Sequence, residues 1–347
     1  MTDDLKRLDL FKTEKPPCSL RFLPSDINVV LLGTYDLNKD TNTRTGSIEI
    51  WKFNESKFMK LHTKILNDGA ILDLKFDPFD DLKFITCNSI GIITIWKIGL
   101  DDYDIELIDN INVFDQDDGE VLITSIEFST VINGLLTFTG TNGQIGTLNL
   151  SNGDKSINVF DTEHDLECWY GTFGCIGGLE NVVFSGGDDR KLIGHDLRCQ
   201  NEIFQTNRIH DAGIVSILTS KGSNKGIGKF LNNGYGLWCG SYDDSLSILD
   251  LRVGLNQDLI PGLPPKIIQK LQLGGGVWKL IENPNHDKVL SCNMYDGARI
   301  LDYSGDEVKV DKYFKGDHES MCYGGDWNDK FIGTCSFYDC IVQIWQP

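Results

Sequence analysis

Seven times along this chain one short pattern returns: GSIEIWKF (46–53), GIITIWKI (91–98), GQIGTLNL (143–150), RKLIGHDLR (190–198), DSLSILDLR (244–252), GARILDY (297–303) and DCIVQIW (339–345). Each is an alternating run rich in Ile, Leu and Val, entered from a Gly, Asp or Asn turn and closed by an aromatic or Asp-containing tail. Alternation of period two marks a strand with one face toward a core. Before most copies stands a second strand ending in small or polar residues: VLLGTY, FITCNS, LTFTGTN, VVFSGGDD, LWCGSYDD, VLSCNMYDG or IGTCSFYD. A hairpin cannot bury its apolar face alone, so hairpins repeated at intervals of roughly 30 to 55 residues must pack on one another. Helical periodicity is hard to find anywhere.

The repeat predicts an all-β chain, a seven-bladed WD40-type β-propeller. A β-solenoid is the other repeat architecture open to it, and the paired hairpins and tight YDD-type turns disfavour that. We expect one domain over 1–347, with blades at about 18–53, 70–98, 121–150, 166–198, 212–252, 274–303 and 320–347. Residues 1–17 are expected to lead in and to supply the last blade's outer strand, so that no open sheet edge remains.

The 347 residues are 40% hydrophobic and 10% aromatic, enough for a large core. Acidic residues outnumber basic ones, 51 to 32, for a formal charge of −19. That charge argues against nucleic acid as a direct ligand, because a phosphate backbone needs a basic footprint, and a basic protein partner fits better. Acidic runs such as Asp101–Asp104 and Asp115–Asp118 read as solvated surface. The chain has no apolar run long enough to span a membrane, and MTDDLKRLDLFKTEKPP lacks the apolar stretch of a signal peptide, so a cytoplasmic protein without membrane insertion is expected. Its ten cysteines include no CxxC pair. Cys87, Cys239, Cys292 and Cys335 read as reduced core residues, and no metal site is expected.

Histidines before inner strands form buried hydrogen-bonded sets with a hydroxyl, a turn Asp and a third-strand Trp in such blades. On this pattern His318, Asp339 and Trp345 form one set. His210 serves before Asp244, with Leu249 in place of the Trp, and His62 serves before Trp96. His195 stands where the Trp is usual and reads as structural.

Function belongs at the face where the inner strands begin and the turns converge on the central channel. Alternation assigns to it Glu167, Trp169 and Asp188 from the fourth blade, Asp243 from the fifth, Trp278 and Tyr295 from the sixth, and Ser320 and Tyr338 from the seventh. The matching residues of blades two and three, Ser89 and Thr141, are small and neutral. A rim of aromatics and carboxylates suits a quaternary or methylated ammonium; the same composition also suits a protein-docking surface.

The stretches LECWYGTFG, FSGGDDRKLIGHDLR, GSYDDSLSILDLR, GGGVWKL, CNMYDGARIL, HESMCYGGDW and TCSFYDCIVQIW resemble, in the same order, motifs of the WD-repeat diphthine methyl ester hydrolases of diphthamide biosynthesis. The resemblance runs from about Glu167 to Trp345, and the earlier blades agree mainly in architecture. It implies hydrolysis of the methyl ester of methylated diphthine on translation elongation factor 2, releasing methanol without a cofactor. That substrate carries a trimethylammonium group beside the ester. Two departures are His195 and the Tyr170 that follows Trp169.

Ester hydrolysis needs an activated water or nucleophile and donors for the oxyanion. The chain has no GxSxG elbow and no HExxH. Asp243 or Asp188 is the expected general base, with Glu167 holding the cation. The amides of Gly274–Gly276 or the hydroxyl of Tyr242 are candidate oxyanion donors, and Ser320 is the alternative nucleophile. A non-enzymatic WD40 adaptor is the competing reading. A methyltransferase is disfavoured, since no glycine-rich strand-to-helix turn is present to hold its cofactor.

Overall fold

The computed structural model describes residues 5–66, 69–114, 120–151, 155–175, 178–199, 201–220, 227, 234–252 and 259–347; the acidic run 115–118 lies outside them. Seven antiparallel sheets follow one another along the chain. The fourth is typical: Cys168–Phe173 innermost, then Val182–Gly187, Leu192–Asp196 and Glu202–Thr206. The first blade also carries a short strand, Asp36–Asn38, beside its third strand. In the seventh, the strand Arg7–Lys12 pairs antiparallel with Ile341–Trp345, so the two ends of the chain share one sheet.

Seven apolar clusters hold the ring, one at each blade junction. Ile85, Cys87 and Ile93 of blade two meet Ile123, Ile126 and Phe138 of blade three; Phe184 and Leu192 of blade four meet Ile214, Leu237 and Leu249 of blade five. Blades approach closely because the second strand is small where the next inner strand crosses it. A Cβ on Gly240 would lie 2.5 Å from Val277 Cγ1. An eighth cluster, of Val215, Trp278 and Met294 with Trp169, Tyr242, Met321 and Tyr323, belongs to no single junction.

Every inner strand has the same irregularity, an extra residue at its second position: Cys18, Leu72, Thr124, Trp169, Val215, Trp278 and Tyr323. Such a bulge re-aims a side chain and resets the alternation that follows it. Among the described residues no helix is long and apolar enough to cross a membrane.

Candidate functional site

Six of the seven bulge residues line one cavity of about 170 Å³. Because they come from six blades, the cavity sits on the ring's axis. Blades one to three contribute Cys18, Leu72 and Thr124; blades four, six and seven contribute Trp169, Trp278 and Tyr323. The bulge residues are thus aromatic on one side of the mouth and non-aromatic on the other, where Tyr35 of blade one adds a single ring. Trp278 is the hub, with ring centroids 5.8 Å from Trp169, 5.8 Å from Tyr242 and 4.6 Å from Tyr323. Phe337 extends the wall, 5.2 Å from Tyr323 and 6.0 Å from Tyr35.

Acid gathers on the same side. Asp188 accepts a hydrogen bond from Trp169 Nε1 at 3.3 Å, and its backbone N–H donates to the Glu167 carbonyl at 2.8 Å. Both carboxylate residues are half-buried. Burial, then the neighbouring Asp188, Tyr295 and Glu167, raise the Tyr242 phenol well above its ordinary range, so it stays protonated at neutral pH. The expected residues Glu167, Trp169, Asp188, Tyr242 and Trp278 come together. Tyr295 and Tyr338 do not line the cavity; 65% and 73% exposed, they stand on its outer rim.

Asp243 does not face this site, which corrects the assignment of a base there. It receives the backbone N–H of Asp211 at 2.9 Å and of Ser245 at 3.0 Å, the Ser245 hydroxyl at 2.5 Å, and lies 3.1 Å from His210 Nδ1. Despite its burial, these donors hold its carboxyl far below the usual carboxylate range. Such a group is a poor base. The physical reason lies in the turn. The left-handed residue is Asp244 (φ 65), as it is Arg190 (φ 67) in blade four and Cys340 (φ 59) in blade seven. The turn aspartates are thus Asp189, Asp243 and Asp339, and the residues before them are Asp188, Tyr242 and Tyr338.

Other sequence expectations shift for equally local reasons. Ser320 accepts the Tyr338 backbone N–H at 3.0 Å and has no histidine or carboxylate partner among the described residues, so nothing there activates it as a nucleophile. His318 is buried away from it, with Nδ1 2.8 Å from Ser336 Oγ and Nε2 2.8 Å from Thr334 Oγ1. Trp345 Nε1 donates to that same Thr334 oxygen at 3.0 Å, and Ser336 Oγ donates to Asp339. Gly276 N–H donates to Asp244 Oδ1 at 2.6 Å and Gly274 N–H to the Asp244 carbonyl at 3.2 Å, so these two amides are committed to the turn. His62 joins no buried set. It lies half-buried on the first blade's outer strand, Nε2 2.6 Å from the Asp102 carbonyl. In blade four, His164 Nδ1 lies 2.8 Å from Asp189 Oδ1, while its Nε2 and His195 Nε2 each lie 2.9 Å from Ser185 Oγ. Burial and the nearby His164 depress His195 to about 3.

No family model matches the chain. Curated relatives do. A protein of Saccharomyces cerevisiae named diphthine methyltransferase is 37% identical over 391 residues, covering 97% of each chain. One of the same name from Schizosaccharomyces pombe is 31% identical over 337 residues, covering 92% of this chain and 91% of its own. This chain belongs to the diphthine methyltransferase family. A mouse protein of that name, 24% identical over 358 residues, covers 93% of this chain and 70% of its own length. Among solved structures, a chain in the crystal structure of the mitotic checkpoint complex aligns with a TM-score of 0.67 at 12% identity, covering 100% of this chain and 96% of its own. That likeness concerns the propeller alone. In this diphthine methyltransferase family member the candidate site is the aromatic, acid-edged mouth. Sequence reasoning missed three of its aromatic members, Tyr35, Tyr323 and Phe337, and the Lys279 that also lines the cavity; for the last two aromatics the rings in MCYGGDW and SFYD were the available signal.

Proposed function

We propose that this protein, acting in diphthamide biosynthesis, hydrolyses the methyl ester of methylated diphthine on elongation factor 2, giving diphthine and methanol. The observation that supports this reading is the aromatic cavity on the ring axis, with Asp188 hydrogen-bonded to its Trp169 wall and Glu167 near enough to act electrostatically on Tyr242. A trimethylammonium group is weakly hydrated and large. It gains from the faces of Trp169, Tyr242 and Trp278, and the two carboxylates add Coulomb attraction in a partly desolvated setting.

Asp188 is the carboxylate left to activate water. Its one side-chain partner among the described residues is the Trp169 indole, which leaves oxygen lone pairs for a water. Water attacks the ester carbonyl carbon and gives its proton to Asp188. The carbon–methoxy bond then breaks, and the leaving oxygen takes that proton as methanol. Glu167 balances the substrate's fixed cation. The Tyr242 phenol is a donor for the carbonyl side. The exposed Tyr295 and Tyr338 supply a rim against which the protein surface around the modified side chain can dock, since exposed aromatics anchor interfaces.

Hydrolysis differs from methyl transfer in needing water and no methyl donor. Supplied with elongation factor 2 bearing the methyl ester, and with no other reagent, the protein should release one methanol per modified side chain. A folded protein that releases none would refute the proposal.

A further inference from the structure

Beneath the aromatic mouth the channel changes character. The residue after each bulge forms the next layer: Ser19, Asp73, Ser125, Tyr170, Ser216, Lys279 and Gly324. Two of these are charged, and both are buried, Asp73 at 1% exposure and Lys279 at 8%. Below them Arg21, Lys75, Glu127 and Asp326 line a second cavity of about 300 Å³. Most of the channel cations are paired there. Lys75 meets Glu127 at 2.5 Å, and Arg21 donates to the Gly325 carbonyl at 2.8 Å.

Lys279 is the exception. It makes no hydrogen bond or ion pair with any described residue; its ammonium has only the rings of Tyr170, at 5.5 Å, and Trp278, at 6.0 Å. Asp73, its strongest electrostatic partner, leaves one carboxylate oxygen buried without a hydrogen bond. Lys279 is also the one side chain with charge that lines both cavities. A buried ammonium with unused donors costs stability unless something pairs with it. Burial lowers its pKa from the ordinary lysine value, while Asp73 opposes the shift.

The mouth is therefore polar along its axis, with carboxylates at the rim, aromatic walls and an ammonium at the floor. A ligand bearing a quaternary ammonium and a carbonyl group on neighbouring atoms can enter in one orientation, cation outward and carbonyl inward. Resting on the ester-hydrolysis reading above, we propose that Lys279 is a catalytic residue which donates to the carbonyl oxygen of the bound ester, holds the oxyanion that forms as water attacks, and afterwards pairs with the product carboxylate. The proton inventory is unchanged by this role. Of the attacking water's two protons, one travels through Asp188 to methanol and the other leaves the product carboxyl for solvent, and Lys279 keeps its own. Attack by the lysine itself is excluded chemically, because it would leave a stable amide.

The test compares the wild type with Lys279→Met and Lys279→Arg, using elongation factor 2 in its methyl-ester and free-acid forms. The wild type must first release methanol from the ester form; if it does not, the hydrolysis reading fails, whatever Lys279 does. Given turnover, K279M should lose about 100-fold or more in kcat, the scale of a lost oxyanion donor, with KM for the ester nearly unchanged. The free-acid product should inhibit the wild type and K279R, and inhibit K279M about tenfold more weakly. A lysine that only stabilises the channel would lower the melting temperature of K279M and leave that difference between acid and ester untouched. Turnover by K279M at the wild-type kcat with unchanged product inhibition overturns the proposal. Should K279M fail to fold, the wild type alone decides: failure of the free-acid form to compete at concentrations near the KM of the ester also overturns it.

Discussion

Asp188 and Asp243 stand one position apart in equivalent turns of neighbouring blades, and their surroundings give them opposite properties. Asp243 is filled by donors from Asp211, Ser245 and His210, and Asp188 has a single indole donor. Asp188→Asn should cost about 100-fold or more in kcat, the range of a lost general base, with an unchanged melting profile. Asp243→Asn should instead cost about 1–3 kcal/mol of stability, because one of the two acceptor oxygens becomes an NH2 facing buried donors, and leave turnover per folded molecule intact. Measuring rate and thermal unfolding on both variants checks the pair; a D188N enzyme with full activity would remove Asp188 from the chemistry. The pH dependence follows in sign. A carboxyl whose folded pKa is depressed contributes stability above its unfolded value, about 3.9, and loses it as pH falls through the folded value. For Asp189, lowered to about 2 chiefly by its His164 bond acting against burial, the loss falls between about pH 4 and 2. The sequences GGDDR and SYDDS could not reveal which aspartate is which. Both Asp and Arg can take the left-handed position, so only the backbone distinguishes the turn residue from the one before it.

The inner strand is the element that makes the mouth. Its bulge turns the second residue into the axis, which is why Trp169 and Trp278 line the cavity. Alternation counted from Ser320 arrives at Cys322, whereas the bulge presents Tyr323. A two-residue period cannot register one inserted residue, so alternation alone gives the wrong parity here. Trp169 and Trp278 were legible because strands already begin beside them. Misplacing His62 had another cause, since the long outer strand of blade one, Lys57–Leu66, occupies the stretch that resembled an entry loop. Ahead of Trp278 the run Gly274–Gly276 is left-handed throughout, with φ 77, 78 and 69. A Cβ at Gly275 would lie 2.8 Å from the Asp296 backbone nitrogen. Gly275→Ala should therefore cost about 1–3 kcal/mol in strain and, by moving Trp278, raise KM for the ester form more than it lowers kcat. Thermal unfolding with steady-state kinetics reads both; an alanine variant indistinguishable from the wild type would deny the run any positioning role.

Across the whole molecule, seven junction cores and a shared terminal sheet hold the ring while the axis carries the proposed site. The seven-bladed architecture was legible because each repeat announces itself through alternation and turn residues. Which face of the ring is lopsided was legible too, because tryptophans and carboxylates cluster in blades four to seven. The floor of the mouth was not, since Lys279 reads as an ordinary polar residue in GGGVWKL until seven strands converge. Closure depends on Phe11, which stacks on Trp51 of blade one at 4.1 Å from the strand paired with blade seven. Phe11→Ala should cost about 3–5 kcal/mol, as for a buried aromatic, and lower the melting temperature without changing KM; a fully stable variant would show that the ring does not rely on this staple. The proposed ester hydrolysis needs water alone. Intact-mass measurement of methyl-ester elongation factor 2, incubated with the purified protein with and without a methyl donor, tests it most directly. Hydrolysis should remove one methylene mass per modified side chain in both reactions, at the same rate. A mass that stays constant without the donor and rises when it is present would contradict it.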